Sequence, residues 1–414
     1  MRKIISSVFM LVSFVGTSQS LRELYQEGLK AHEEKNYELF LAKMISIDTM
    51  RPNYPAVVYN LAGGYALTGN EEKSIEILQK YILMDATQDF TQDDDFKSIW
   101  ESNALLDIQK RQKELNIRID PAEQKQFKLL HTHPESISYA EKQAAYFIGG
   151  VRDGNIWKVG KDGSTVLWAE TAKNSWSVMG LQVSKDEKLL WSCTSSMSNY
   201  QAYKHAEEGY ASVLKYDLKN GELLETFALT GGHNFGDLIT DSNGNVYISD
   251  GVANKIYWIS EKKGKLEAYV DLSGKVFNLQ GLTLDETEEN LFLSDYIDGI
   301  YKLNLKTKQV KKLKIEAEDI LIKGIDGLYY KNNSLLGLHN GTKPNRVIKY
   351  MLSDDGNTIV DKEIKVQGGD LGEPTQGVWI NDSFQFIMNS PWGEYDQDAN
   401  FEPTGENTII GIIN

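Results

Sequence analysis

Residues 281–295 read GLTLDETEENLFLSD, and residues 237–250 follow the same pattern as DLITDSNGNVYISD. Each stretch starts with a small or acidic residue and an apolar residue, passes through a turn rich in acidic or amide side chains, and ends in an apolar strand with Ser and Asp. Alternating apolar residues on both sides of such a turn predict a β-hairpin. A third copy, GLQVSKDEKLLWSC, occupies residues 180–193. One structural unit is therefore repeated along the chain.

The period of this repeat predicts the fold. Weaker copies begin at Gly327 and Gly377, and the weakest begins at Ser136, so that the six starting points are separated by 44, 57, 44, 46 and 50 residues. This spacing is typical of the four strands that form one blade of a β-propeller. The sequence thus predicts an all-β, six-bladed propeller over residues 124–414.

The last blade lacks a strand of its own. The chain ends with TIIGII at residues 408–413, which is the third strand of that blade, and no fourth follows. We expect the sequence FKLL at residues 127–130 to supply the missing strand. An N-terminal strand would then close the ring against the C-terminal blade and leave no long free edge.

The preceding region, residues 21–117, has apolar residues at helical spacing and few glycines, which predicts an α-helical domain. Leu21 to Met50 is predicted as two helices with a break near Asn36. A second pair is predicted from Tyr54 to Thr68 and from Glu71 to Met84. Residues 95–100 and a helix ending at about Leu115 complete the domain.

The second helix pair resembles a tetratricopeptide repeat. Small and apolar residues occupy the packing positions of that repeat at Asn60, Leu61, Gly64, Tyr65, Ala66, Gly69 and Ile75. The resemblance implies a groove that binds a peptide or protein partner. A purely structural role beside the propeller is an equally good interpretation.

Residues 1–20 are typical of a secretory signal peptide. Arg2 and Lys3 precede an apolar run from Ile4 to Val15, and the small residues Ser18 and Ser20 frame a cleavage site. An uncleaved anchor would need about 18 or more apolar residues, and this run is shorter. We therefore expect a periplasmic or secreted protein that has no membrane insertion after cleavage.

Composition narrows the classes of partner. The chain has 59 acidic and 44 basic residues and a net charge of −15. An acidic surface repels phosphate backbones, so nucleic-acid binding is disfavoured. Cys193 is the single cysteine, which rules out an intrachain disulfide.

Polar residues stand just before the repeat units, where the inner strand of each blade would start at one mouth of the central channel. These positions hold Glu135, Met179, Gly236, Gln280, Asp326 and Gln376, and Asp237 lies one step further along its strand. Converging carboxylate and amide oxygens suit Ca²⁺ or Mg²⁺ better than zinc. A water-filled polar channel is the alternative.

Loops at the same mouth are predicted to contact a small-molecule ligand. The longest spacing marks an insertion at 195–211 that carries the residues of a predicted aromatic lid, Tyr200, Tyr203, His205 and Tyr210. Arg152, Lys343, Arg346 and Trp392 occupy equivalent loops, and Gln376 faces the channel beneath them. Ordinary surface turns are the alternative interpretation.

Three short motifs resemble signatures of the senescence-marker, gluconolactonase and luciferin-regenerating enzyme superfamily: PESI at 134–137, LQGL at 279–282 and IDGL at 325–328. The resemblance implies a propeller that holds a divalent cation, commonly Ca²⁺, and often hydrolyses sugar lactones. It makes Glu135 and Asp326 metal ligands and Asp326 the candidate general base. Gln280 replaces a family asparagine, and a second family asparagine falls near Gly236, where Asp237 or Asn234 could substitute.

Two functions follow from these patterns. The first is a divalent-metal-dependent hydrolase of a lactone or small ester, which would be a lactonase-type carboxylic ester hydrolase with Glu135, Gln280, Asp326 and Asp237 around the cation. The second is a non-catalytic propeller that binds a ligand or protein and uses its helical repeats as an interaction module. No GxSxG motif, zinc-spaced histidine pair or phosphate-binding loop occurs in the sequence.

Export can be tested on the native protein. We expect a mature N-terminus at about Leu21, because signal peptidases cleave after small residues that follow an apolar run. Mass spectrometry of protein from the cell envelope and medium measures this terminus. A cytoplasmic chain that retains residues 1–20 would contradict the predicted location.

Overall fold

The computed structural model describes residues 17–129, 131–316, 319–397, 401–404 and 408–414. Most of the predicted signal peptide, residues 1–16, lies outside the described residues, so export stays a prediction. The chain divides into two compact units. One comprises the chain up to Ile117 together with Thr342–Pro344, and the other comprises Arg118–Gly341 and Asn345–Asn414.

The first unit is helical, as the apolar spacing predicts. Its elements are α1 (Thr17–Glu33), α2 (Tyr37–Met50), α3 (Pro55–Leu67), α4 (Glu71–Met84), a 3-10 helix (Asp94–Ile99) and α5 (Asn103–Glu114). The predicted break is confirmed, since the Asn36 side chain caps α2 by accepting a hydrogen bond from the Leu39 amide. Successive helices α1 to α4 pack in order. Their identity as tetratricopeptide repeats stays a prediction.

Close helix packing explains one glycine of the repeat pattern. A Cβ atom on Gly64 would lie 3.2 Å from a methyl carbon of Leu41, so α3 approaches α2 closely at this point. Phe40 and Met44 are buried between the helices. Within the described chain, no helix combines the length and the apolar character needed to cross a bilayer.

The second unit is a six-bladed β-propeller, which confirms the predicted fold. The chain enters it through β1 (Glu123–Phe127) and then builds the blades in sequence order. Blade 1 holds β2 (Pro134–Ala140), β3 (Ala145–Gly150), β4 (Ile156–Gly160) and β5 (Thr165–Ala169). Blade 2 holds β6 (Ser177–Val183), β7 (Leu189–Ser195), β8 (Ala211–Asp217) and β9 (Leu223–Leu229).

Blade 3 holds β10 (Phe235–Thr240), β11 (Val246–Asp250), β12 (Lys255–Ile259) and β13 (Leu266–Asp271). Blade 4 holds β14 (Leu279–Leu284), β15 (Asn290–Asp295), β16 (Gly299–Asn304) and β17 (Val310–Lys312). Blade 5 holds β18 (Lys314–Ile315), β19 (Ile325–Lys331), β20 (Ser334–His339), β21 (Arg346–Leu352) and β22 (Thr358–Gln367). Blade 6 holds β23 (Gly377–Ile380), β24 (Ser383–Ile387) and β25 (Thr408–Ile413), and a short helix, α6 (Trp392–Gln397), lies between its last two strands.

An N-terminal strand closes the ring, as predicted, but its predicted position is wrong. β1 pairs antiparallel with β25, with Phe127 opposite Thr408. The closing strand was predicted at residues 127–130, but it ends at Phe127. The outermost strand of a blade faces solvent, and Glu123, Gln124 and Gln126 are exposed. Apolar character therefore does not mark this strand. Phe127 and Leu129 instead pack into the core cluster that contains Ile137 and Ile410.

Neighbouring blades are joined near their inner strands by hydrogen bonds between a side chain and the backbone. Each inner strand is the edge of its sheet, so part of its backbone has no partner strand. The six junctions are bridged by Val183 N to Ser138 Oγ (2.9 Å), Phe235 N to Ser195 Oγ (2.7 Å), Leu282 N to Asp237 Oδ2 (3.2 Å), Tyr330 N to Thr283 Oγ1 (3.1 Å), Gly377 N to the Tyr329 hydroxyl (2.7 Å), and Thr375 Oγ1 to the Glu135 carbonyl (2.8 Å).

Truncation tests the closing strand. Deleting residues 21–118 retains β1 and should leave a propeller with one cooperative thermal transition. Deleting residues 21–128 removes β1, and the loss of buried Phe127 alone should cost about 3–5 kcal/mol. Differential scanning calorimetry of both truncations measures the effect. Equal melting temperatures for the two would show that β1 does not hold blade 6 together.

Candidate functional site

The inner strands that carry the sequence candidates are irregular at their starts. In β2, β6 and β10 the strand pairing skips Glu135, Met179 and Gly236. In β14 and β19 one extra residue lies within the dipeptides 280–281 and 326–327. A β-bulge adds a residue to one strand and redirects its side chain. The positions chosen from the sequence are thus places where a side chain leaves the regular alternation of its strand.

Glycine follows two of these residues because the inner strands approach one another closely. A Cβ atom on Gly281 would lie 2.5 Å from the Asp326 carbonyl oxygen, and one on Gly327 would lie 2.4 Å from the Thr375 carbonyl oxygen. Neither space admits a side chain. Packing between blades thus accounts for the glycines of the GlnGly and AspGly dipeptides at 280 and 326.

Glu135 is 4% exposed and is held by two donors. Its Oε2 accepts hydrogen bonds from Ser390 Oγ at 2.9 Å and from Trp392 Nε1 at 2.8 Å. His133 lies behind them, with Nε2 2.8 Å from Ser390 Oγ and Nδ1 3.2 Å from the Tyr395 hydroxyl. Burial lowers the pKa of His133 to about 3. The imidazole is therefore neutral and can donate through Nε2 while it accepts through Nδ1.

Asp326 lies in the same electrostatic environment. Its Oδ2 accepts a hydrogen bond from Asn340 Nδ2 at 2.7 Å, and the Tyr296 hydroxyl donates to Asn340 Oδ1 at 2.9 Å. Burial, with a further contribution from the charge of Glu373, raises the pKa of Asp326 to about 7. Burial also raises the pKa of Glu135 well above its usual range, with added repulsion from Asp326 and Glu373. We call Glu135, Asp326 and Glu373 the carboxyl cluster.

Asp237 has a structural role in the channel. Its Oδ1 accepts a hydrogen bond from the Leu238 amide at 2.8 Å, and its Oδ2 accepts one from the Leu282 amide of the next blade. Burial raises the pKa of this carboxyl to about 7. Both oxygens are thus engaged with backbone groups of two inner strands.

Two predicted amide side chains are also engaged by the protein. Gln376 Nε2 donates to the Met179 carbonyl at 2.8 Å and to the Gly236 carbonyl at 3.3 Å, and so reaches from blade 6 to blades 2 and 3. Gln280 Nε2 donates to Asn278 Oδ1 at 2.7 Å. The Gln376 side chain therefore crosses the channel rather than lining its wall.

The predicted metal ligands differ in how far the protein engages their oxygen atoms. Among the described residues, no set of three or more His, Cys, Asp or Glu side chains could hold a metal ion. Glu135 Oε1 and Asp326 Oδ1 accept no hydrogen bond from the described protein, and Gln280 donates through Nε2, whereas both oxygens of Asp237 accept hydrogen bonds from backbone amides. The metal site at Glu135, Gln280, Asp326 and Asp237 therefore stays a prediction, as does calcium.

The predicted ligand-binding cations have protein partners. Arg152 Nε donates to Glu402 Oε2 at 3.0 Å. Arg346 is 2% exposed at the start of β21, where its Nε donates to Gln367 Oε1 at 2.9 Å. Within the described residues, neither Glu135 nor Asp326 forms a salt bridge, so basic side chains do not offset these two carboxyl groups.

The predicted lid residues differ in exposure. Tyr200 is 8% exposed and packs where a Cβ on Gly154 would lie 3.0 Å from its ring. The Tyr203 hydroxyl lies 3.4 Å from His205 Nδ1, and the His205 side chain is 90% exposed. Contact between this segment and a ligand stays a prediction.

Sequence reasoning missed the partners of the carboxyl groups. Asn340 directly follows the second strand of blade 5, and Ser390 lies three residues after the second strand of blade 6. Glu373 lies three residues before Gln376, outside the position that we compared between blades. Ser390 and Asn340 lie in loops outside the repeated unit, so the repeat pattern carries no signal for them.

Comparison with known proteins supports the fold. No protein-family model matches the sequence, and a search of curated proteins found no match. Among solved structures, the major Malassezia sympodialis allergen Mala s 1 aligns over 70% of this chain and 96% of its own, with a TM-score of 0.55 and 14% identity. A candidate gluconolactonase aligns over 71% and 94% (TM-score 0.48, 14% identity), and a luciferin-regenerating enzyme over 70% and 96% (TM-score 0.48, 11% identity).

Proposed function

We propose that the propeller hydrolyses a lactone or a related small ester at the mouth of its channel. The observation that carries this proposal is the carboxyl cluster, in which burial and mutual repulsion raise the pKa of Glu135 and Asp326 without a compensating salt bridge. General acid–base catalysis requires a group whose pKa lies near the working pH. Asp326 meets this requirement.

Asp326 acts as the general base. Asn340 holds its Oδ2, which leaves Oδ1 to accept a proton from a water molecule. The water oxygen attacks the carbonyl carbon of the substrate and forms the new C–O bond. When the ring C–O bond breaks, Asp326 returns the proton to the departing alkoxide, and the product is a hydroxy acid.

Glu135 stabilises the negative charge that develops on the substrate oxygen. Burial and repulsion raise the pKa of Glu135, which favours its protonated form, and in that form Oε1 can donate a hydrogen bond to the carbonyl oxygen. Ser390 and Trp392 hold Oε2 and fix the orientation of the carboxyl group. His133 positions Ser390 from behind.

A second candidate is a non-catalytic propeller that binds a ligand or protein. The Gln376 side chain favours it, since an amide that crosses the channel restricts access to the interior. In this case the helical unit would supply the surface for a peptide or protein partner. A periplasmic or secreted location is part of both proposals.

Replacing the general base should abolish turnover. Asp326→Asn removes the proton acceptor while it preserves the shape of the side chain, so kcat for lactone hydrolysis should fall at least about 100-fold. The exposed Asp354→Asn provides a control with the same change of charge. A panel of sugar lactones followed in a pH-stat measures the rates, with EDTA and with added CaCl₂ to test the predicted calcium dependence.

A well-folded wild type with no turnover on any lactone, with or without calcium, would favour the binding propeller. Equal loss of activity in both aspartate variants would show that the effect is one of charge alone.

The pH profile provides an independent test. Asp326 is active when deprotonated, and burial raises its pKa to about 7, so kcat/KM should rise as the pH increases through about 7. Rates corrected for spontaneous lactone hydrolysis between pH 5 and 9 measure the profile, and a flat profile would exclude Asp326 as the base.

A further inference from the structure

A chemically labile dipeptide lies beside the proposed base. Asn340 and Gly341 directly follow β20, and the chain has two other AsnGly dipeptides, at 220–221 and 243–244. Asparagine deamidates most readily before glycine, because glycine has no Cβ to hinder attack by its own nitrogen on the asparagine side chain. Asn340 is also the residue that holds Oδ2 of Asp326. A change in its side chain would therefore reach the site directly.

The packing of the site requires both residues of this dipeptide. A Cβ atom on Gly341 would lie 2.5 Å from Gly324 Cα and 2.8 Å from the Tyr296 hydroxyl oxygen, so a larger residue does not fit at position 341. Asn340 offers a donor to Asp326 and an acceptor to Tyr296 at the same time. Aspartate lacks the donor, and glutamine is one methylene longer. The labile pair is thus fixed by its surroundings.

Tyr296 restrains the amide of Asn340. The Tyr296 hydroxyl donates to Asn340 Oδ1 at 2.9 Å, while Asn340 Nδ2 donates to Asp326 Oδ2 at 2.7 Å, so both ends of the amide are held. The Tyr296 backbone is anchored as well, since its carbonyl accepts a hydrogen bond from the Gly324 amide at 2.7 Å. Deamidation requires the side-chain carbon of Asn340 to approach the Gly341 nitrogen. The amide must leave these partners to do so.

The other two AsnGly dipeptides are restrained less. In all three, the glycine nitrogen donates to a backbone carbonyl, at 3.1 Å for Gly341, 3.0 Å for Gly221 and 3.2 Å for Gly244, so this bond does not distinguish them. Asn220 is exposed, and its Oδ1 accepts one hydrogen bond, from a backbone amide. Asn243 is exposed, and its side chain forms no hydrogen bond within the described residues. The difference therefore lies in the side chains.

We propose that Asn340 is a deamidation site that Tyr296 protects, and that its modification disables Asp326. In the reaction, the Gly341 nitrogen loses its proton and attacks the side-chain carbonyl carbon of Asn340. The bond from this carbon to Nδ2 breaks, and ammonia leaves. Water then opens the resulting succinimide to aspartate or isoaspartate.

The product has a carboxyl group where Asn340 offered a donor to Asp326. Two carboxylates at this distance repel one another, and the proposed base loses the hydrogen bond that orients it. This consequence rests on the proposed hydrolysis, whereas the protection by Tyr296 does not. The two parts are therefore measured separately.

Peptide-mapping mass spectrometry of the full chain, incubated at mildly alkaline pH, measures the protection. In the wild type, Asn340 should deamidate more slowly than Asn243. Tyr296→Phe should accelerate deamidation of Asn340 about fivefold or more, because the loss of one hydrogen bond raises the fraction of free amide by this order. Tyr269→Phe, which removes a hydroxyl that donates to the Leu305 carbonyl, is the matched control and should leave this rate unchanged.

Two measurements keep this result independent of folding defects. The rates at Asn220 and Asn243 should be the same in Tyr296→Phe as in the wild type, since both dipeptides lie outside the site. In urea, which unfolds the wild-type chain, Asn340 and Asn243 should deamidate at similar rates. Equal rates at Asn340 and Asn243 in the folded wild type, or an unchanged rate at Asn340 in Tyr296→Phe, would overturn the protection.

Asn340→Asp reproduces one product of the reaction. Its kcat for lactone hydrolysis should fall at least about tenfold, whereas Asn243→Asp should turn over like the parent. Full turnover by Asn340→Asp would overturn the functional consequence. A wild type without turnover on any lactone would instead remove the proposed hydrolysis together with this consequence, and the protection measured by mass spectrometry would still stand or fall on its own result.

Discussion

The backbone of each inner strand has no neighbouring strand on its channel side, and the propeller depends on how these edge groups are satisfied. A buried amide or carbonyl without a partner is costly, so each junction between blades uses a side chain as a substitute partner. Serine, threonine, tyrosine and aspartate side chains fill this role around the ring. Much of the polar character of the channel is therefore structural.

This requirement separates residues that are free to do chemistry from residues that are not. Asp237 and Gln376 are committed to backbone groups of neighbouring or opposite blades. Glu135 and Asp326 stand at bulges, and side chains from loops hold only one oxygen of each. At each bulge the residue is not paired with the neighbouring strand, and its carboxyl group lies close to other acidic side chains. The raised pKa values follow from this crowding in a buried site.

The fold could be predicted from the sequence because it rests on a repeated hairpin, and the period of the repeat fixes the number of blades. The closing strand could be expected but not located, since β1 is polar and exposed and carries no apolar alternation. The positions of Glu135 and Asp326 could be predicted, because each residue stands directly before a repeat unit. The roles of Arg346 and Gln376 could not be predicted from the sequence. Arg346 binds Gln367, and Gln376 binds backbone carbonyls of blades 2 and 3. These partners are distant in sequence, and which of them a side chain reaches depends on its direction.

Pairing of β1 with β25 joins residues more than 280 positions apart, and it is the contact that completes the ring. During synthesis, β1 is made before the blades, and its partner strand β25 is made last. Phe127 and Leu129 have no complete core to enter during this interval, because Ile410 arrives with the last strand. Contacts between such distant segments form slowly. Until β25 is made, blade 6 therefore lacks both its third strand and its closing strand, and the core that receives Phe127 and Leu129 is incomplete.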